Sequence, residues 1–146
     1  MAVTKWALDI DAMQEDFFAG TAMIGIVNAM QGYRFCWMIN KHFDHNFCRD
    51  PELDISLQKK DSRFCFPVYT YEMPNSSHRY VIYKLKNGNE ALLPEIRQLD
   101  YLWLIQTADP EHDAAAIISE LKNLPDIQLA RALISGELKN VKNLIM

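Results

Sequence analysis

YLWLI, Tyr101 to Ile105, is the run that most constrains the fold: five apolar residues in succession with no polar interruption. A strand turns alternate side chains to opposite faces, so such a run suits a strand covered on both of them. The chain is then expected to supply a sheet and a cover for each side of this segment. At 146 residues, 49% hydrophobic and 23% charged, it has the length and composition to do so as one globular domain without staples.

The other elements follow from patterning. TAMIGIVNA, Thr21 to Ala29, reads as a second buried strand bounded by Gly20 and Gly32. GYRFCWMINKHF reads as a helix with Tyr33, Cys36, Trp37, Ile39 and Phe43 toward the sheet and Arg34, Asn40 and Lys41 away from it. Asp44 to Pro51 breaks that pattern, and Phe47 to Leu57 is expected to hold a short edge strand before a polar loop through QKKDS. FCFPVYTYEMPNSSHRYVIYKLKNGNEALL predicts a hairpin, with PNSSH as its turn, NGN as the next turn, and Pro67 at a strand start or edge.

YLWLIQTA is a strand, followed by a punctuated helix: Asp109 as N-cap, Pro110 at the first position, Glu111 and Asp113 in the first turn. Ala114, Ile117, Ile118 and Leu121 fall on one face, and Pro125 prevents continuation. IQLARALI reads as a last strand; the alternative is a helix over Ile127 to Met146, which Gly136 disfavours. The expected class is α+β: a mostly antiparallel sheet of six or seven strands with two helices packed on one face.

Charge excludes some partners. The formal net charge is -4 with both signs interspersed, and the densest basic stretch, Lys59, Lys60 and Arg63, is interrupted by Asp61. Such a surface does not gather enough cations to release many counterions, so no nucleic-acid partner is expected. Apolar runs such as AMIGIV and YLWLI fall short of the roughly 20 residues of a spanning helix, so no membrane partner is expected either. The N-terminus meets acid by Asp9 and lacks the basic and apolar regions of a signal peptide, which points to the cytoplasm and makes the acceptor pattern at Asn75 irrelevant. Three irregularly spaced cysteines fit reduced thiols.

Candidate chemistry is sparse. His42, Asp44, His45 and Cys48 form the one dense group of metal-ligand types, but a tetrahedral zinc site needs a further pair that the chain does not supply, and a polar helix end explains them. Cys36 and Cys65 sit in apolar settings and read as buried and unreactive; Cys48, near His45 and Arg49, is the candidate thiolate, without a local signature for catalysis. Asp9, Asp11, Glu15 and Asp16 lack the alternating ligands and central glycine of a calcium loop and read as a solvated turn. Neither GxGxxG, a phosphate-binding loop, GxSxG nor HExxH is present. No metal and no cofactor is expected.

The remaining signal is LPEIRQLDY, Leu93 to Tyr101. With leucine in place of both the isoleucine and the valine, it resembles the uncharacterised bacterial family named for its IPExxxVDY signature. The helix GYRFCWMINKHF, the strand FPVYTYE and the terminal NLIM extend the resemblance along the chain. It implies relatedness, and no activity, substrate or cofactor. The signature residues Pro94, Glu95, Arg97, Asp100 and Tyr101 are the candidate site residues. Pro94 suits the start of a single helical turn and biases Leu93 toward extended backbone. Asp100, at the mouth of the YLWLI strand, should accept backbone N–H bonds or meet a cation such as Arg97, Arg34 or Arg131. On that reading the motif is an architectural turn; the rival is that Glu95, Arg97 and Asp100 face a partner or ligand. The expected function is a non-catalytic protein-interaction or self-associating domain, with a small-ligand or regulatory domain as the alternative.

Overall fold

In chain order the elements are β1 (Thr21–Val27), α1 (Gly32–Phe43), β2 (Cys48–Arg49), β3 (Ile55–Lys59), β4 (Ser62–Phe66), β5 (Val68–Glu72), β6 (Arg79–Lys84), β7 (Lys86–Asn87), β8 (Glu90–Ala91), β9 (Tyr101–Gln106), α2 (Pro110–Leu121) and β10 (Leu129–Leu133). Single 3-10 turns lie at Pro51–Leu53, Pro94–Ile96 and Val141–Leu144. The structure is a computed structural model and describes residues 20–59, 61–74, 76–133 and 141–144. Asp9, Asp11, Glu15, Asp16, Lys60, Asn75 and Gly136 lie outside them.

Six strands form one antiparallel sheet in the order β10-β1-β9-β6-β5-β2. β9 occupies an interior position, and all five residues of YLWLI are buried. Alternation divides them: Tyr101, Trp103 and Ile105 join the core under the helices, Leu102 and Leu104 the core on the other face. Both helices pack on the first face, through Phe35, Cys36 and Ile39 of α1 and Ala114, Ile117 and Leu121 of α2. The class is α+β, as expected. Since β1 is antiparallel to both β9 and β10, those two run parallel, and α2 is the crossover between them.

Among the described residues no α-helix packs on the second face. Phe66, with the partly buried Ile55, Leu57 and Phe64, brings the β3–β4 hairpin against it, and Leu85, Leu92, Leu93, Ile96 and Leu99 fill the rest. Leu144 closes the layer, its carbonyl accepting from the Tyr83 hydroxyl at 2.9 Å. QKKDS is therefore not wholly a loop. Gln58 and Lys59 pair with Arg63 and Ser62, because Ile55, Leu57, Phe64 and Phe66 on alternate positions of β3 and β4 hold that hairpin to the sheet while Ser56, Gln58 and Arg63 are exposed. In the β7–β8 hairpin, Gly88 at φ 61 takes a conformation other residues rarely adopt, as the NGN signal anticipates.

The expected face of α1 needs correction. Tyr33 and Trp37 do not cover the sheet; they are 69% and 64% exposed. Phe35 is the inward residue, stacked on Tyr101 with ring centroids 3.9 Å apart. That stack and the burial of Ile39 turn Phe35, Cys36, Ile39 and Phe43 to the core and rotate Tyr33 and Trp37 to the opposite side. Asn40, read as an outward polar residue, binds both backbone groups of Phe47: its amide donates to the carbonyl at 3.0 Å and its oxygen accepts from the N–H at 2.7 Å.

Candidate functional site

LPEIRQLDY takes the conformation its composition dictates. Leu93 is extended (φ -122, ψ 90), Pro94 opens a 3-10 turn through Ile96, and Arg97 continues in helical geometry. Leu93, Ile96 and Leu99 are buried; Pro94 and Arg97 face solvent. β1 passes close enough to Leu99 that a Cβ on Gly25 would overlap that side chain and come within 3.1 Å of Leu133. A side chain at this point of β1 would force Leu99 and Leu133 to shift.

Asp100 ties three segments together. Its Oδ2 accepts from the Asn28 N–H at 2.9 Å and its Oδ1 from Lys86 Nζ at 2.9 Å. Its own N–H donates to the Ile26 carbonyl at 2.8 Å, and its carbonyl accepts from Leu85 at 2.9 Å. The expected backbone bond is present, while the cation is Lys86 rather than Arg97, Arg34 or Arg131. The antiparallel pairing of β6 with β9, Lys84 opposite Tyr101 and the Leu85 N–H on the Asp100 carbonyl, brings Lys86 beside the start of β9, a proximity set by sheet register and invisible in residue spacing. Tyr101 completes the fastening: its hydroxyl donates to the Met30 carbonyl at 2.6 Å, and burial raises its pKa well above the ordinary tyrosine value.

Asp100 and Tyr101 thus hold both ends of the loop joining β1 to α1. Asn28, 2% exposed, stiffens that loop by donating to the Asp126 carbonyl at 2.6 Å and accepting from the Met30 N–H at 2.8 Å. Two clefts flank it. One, of about 390 Å³, lies beside Arg34, Asp126 and Gln128; the other, of about 220 Å³, lies beside Lys84, Lys86 and Asp100. Of the signature residues, Asp100 and Tyr101 line the second of these clefts; Pro94, Glu95 and Arg97 line neither.

No family model, no curated protein and no solved structure matches the chain. Among the described residues no helix is long and apolar enough to cross a membrane.

The histidine–cysteine group is dispersed. His42 lies on the last turn of α1 and meets Glu120 of α2 at 3.1 Å, whereas His45 turns inward to stack on Tyr71 with centroids 4.8 Å apart. Among the described residues no three His, Cys, Asp or Glu side chains gather as a metal site. Arg49 pairs with Asp54 at 2.5 Å. Cys36 is buried, its Sγ 3.4 Å from the Phe47 carbonyl, and burial pushes its thiol up to about 11. Cys65 is exposed, contrary to expectation, because the outward face of β4 carries it; it sits 3.5 Å from Asp54 Oδ2, and partial burial with that contact raises its pKa. In native protein at pH 8, iodoacetamide should modify the exposed Cys48 and leave Cys36 at least about tenfold slower than in the urea-unfolded chain, since the thiolate is the nucleophile. Equal rates at Cys36 in both states, read by peptide mass spectrometry, would contradict its burial.

The residue pair that sequence reasoning missed is Tyr33 with Trp37. Together with Lys41 they fall at i, i+4 and i+8 on one stripe, with Arg34 beside them and Lys41 Nζ 4.9 Å from the Trp37 ring centre. Between Gly32 and Phe43 there is no carboxylate. A helical wheel choosing between Tyr33–Trp37 and Phe35–Ile39 as the inward stripe would have exposed the ambiguity.

Proposed function

We propose that the chain is a non-catalytic protein-interaction domain of the cytoplasm, related to the IPExxxVDY family through LPEIRQLDY. Its binding face is the outer side of α1. One observation carries this reading: two large aromatic side chains, Tyr33 and Trp37, stand side by side in solvent in a protein whose core holds other aromatics such as Phe35, Tyr83, Tyr101 and Trp103. Tyr, Trp and Arg are the residues enriched among binding hot spots, and each aromatic ring offers roughly 150–250 Å² for burial. Arg34 and Lys41 flank them without a neighbouring carboxylate on the helix, which favours a partner segment that is acidic as well as apolar. The cleft of about 390 Å³ is the observation on the side of a small ligand, but Asn28, Arg34, Asp126 and Gln128 give it a polar wall where most ligand pockets are apolar.

The test is a Tyr33→Ser, Trp37→Ser double variant. Thermal stability should stay within about 1 kcal/mol of the parent, since both side chains stand largely in solvent and the Lys41–Trp37 contact is an exposed one. Proteins captured from native lysate by the parent, or its self-association in sedimentation velocity, should be lost by about tenfold or more, a hot-spot-sized effect. Unchanged capture and unchanged oligomeric state would reject the helix face.

A further inference from the structure

Where α1 ends, Asp44 adopts a left-handed conformation (φ 55) and the His45 N–H returns to the Asn40 carbonyl at 3.1 Å. This reversal turns the His45 ring under the helix among aromatic side chains. It stacks on Tyr71 at 4.8 Å and on Phe43 at 5.6 Å, and inclines to Tyr80 at 5.4 Å. Beside these rings, between the end of α1 and the outer turns of α2, opens a cavity of about 230 Å³. Phe43, His45 and Tyr80 line it with Ile117, and two carboxylates, Asp113 and Glu120, complete the wall. No lysine or arginine lines it.

The geometry points to a binding site for an organic cation, specifically a methylated ammonium head group seated against Phe43, His45 and Tyr80 and balanced by Asp113 and Glu120. Aromatic faces carry negative electrostatic potential, and the attraction is strongest where the cation is partly desolvated. The methyl shell of such a cation is apolar and donates no hydrogen bonds, so it matches an aromatic lining that offers few acceptors. A metal ion would need converging ligands, which the described residues do not gather. An anion would meet two carboxylates. Burial lowers the pKa of His45, which keeps its ring neutral at pH 7, so that it adds a wall and no repelling charge. Asp113 is held in place by the Thr107 hydroxyl at 2.5 Å, and Glu120 by His42 at 3.1 Å.

Two sources could present this chemistry, a free quaternary ammonium metabolite or a trimethyllysine side chain, and titration of the full chain followed by NMR separates them. Choline chloride, a trimethyllysine peptide and its unmethylated counterpart are the probes, with 3,3-dimethylbutanol as the neutral isostere of choline. Saturable shifts at His45, Tyr80 and Glu120 are expected with choline, with the trimethyllysine peptide, or with both. The neutral alcohol, which lacks the charge, should bind at least about tenfold more weakly, the order expected when cation–π attraction is removed. The unmethylated peptide keeps a cation, but one that is strongly hydrated and loses donors to water against an aromatic wall, and it too should bind at least about tenfold more weakly. Glu120→Gln, on an exposed side chain, and Phe43→Leu should each weaken binding about threefold or more with the fold retained. Binding of 3,3-dimethylbutanol as tight as choline, or no saturable shift at these residues with either methylated probe, would overturn the assignment.

Discussion

Trp103→Ala should lower the folding free energy by about 3–5 kcal/mol, the range for deleting a fully buried large aromatic. Trp103 is the midpoint of YLWLI and has no solvent exposure. On β1 and β6 it is flanked in register by Ile24 and Ile82, both fully buried. Its ring meets Phe43, Phe47 and Tyr80 edge-on at centroid distances of 5.4, 5.4 and 5.6 Å. Alanine would leave a cavity bordered by both neighbouring strands and by the chain after α1, and strands paired on both sides cannot collapse into it. Among the described residues the indole Nε1 has no hydrogen-bond partner. Phenylalanine would remove that unpartnered donor and keep a ring, so Trp103→Phe should be milder than alanine by at least about 1.5 kcal/mol. Urea unfolding of the three proteins checks both statements. A cost for alanine below about 1 kcal/mol would mean that this strand does not organise the core.

The second large effect concerns the signature aspartate. Asp100→Ala is expected to cost about 1–3 kcal/mol, because it strands the Asn28 N–H and the Lys86 ammonium together. The Lys86 pair is partly solvated, with side-chain exposures of 37% and 22%, so most of the loss should come from the backbone bond rather than the ion pair. Glu95→Ala should cost less, since Glu95 is only half-buried in the turn that Pro94 opens and lines neither cleft. Salt provides a further separation: raising ionic strength should diminish the Lys86 share and leave the Asn28 share. An Asp100→Ala protein that melts like the parent yet loses a captured partner would make the motif a binding site instead of a fastening.

Much of the fold was legible because local rules and tertiary packing agree. The cap Asp109, the first-position Pro110 and the face Ala114, Ile117 and Leu121 place α2 as expected, since capping and periodicity act within a few residues. The turn at Pro94 and the extended Leu93 follow from ring geometry. The candidate site was legible only in part. Asp100 had to find partners, and did, but its cation came from Lys86 through the β6–β9 register, which no spacing rule reports. Tyr33 and Trp37 were misplaced because hydrophobicity alone does not rank two apolar stripes of one helix.

The sequence by itself determined that a doubly covered strand would lie inside an antiparallel sheet with two helices on one side. A continuous apolar run and a 3.6-residue period have few other low-energy uses. Only the tertiary structure decided which stripe of α1 turns inward, that the β3–β4 hairpin and a group of leucines pack on the far face, and that Phe43, His45 and Tyr80 meet beside Asp113 and Glu120. Those outcomes depend on contacts between residues tens of positions apart, where shape complementarity among alternatives of similar hydrophobicity selects one arrangement.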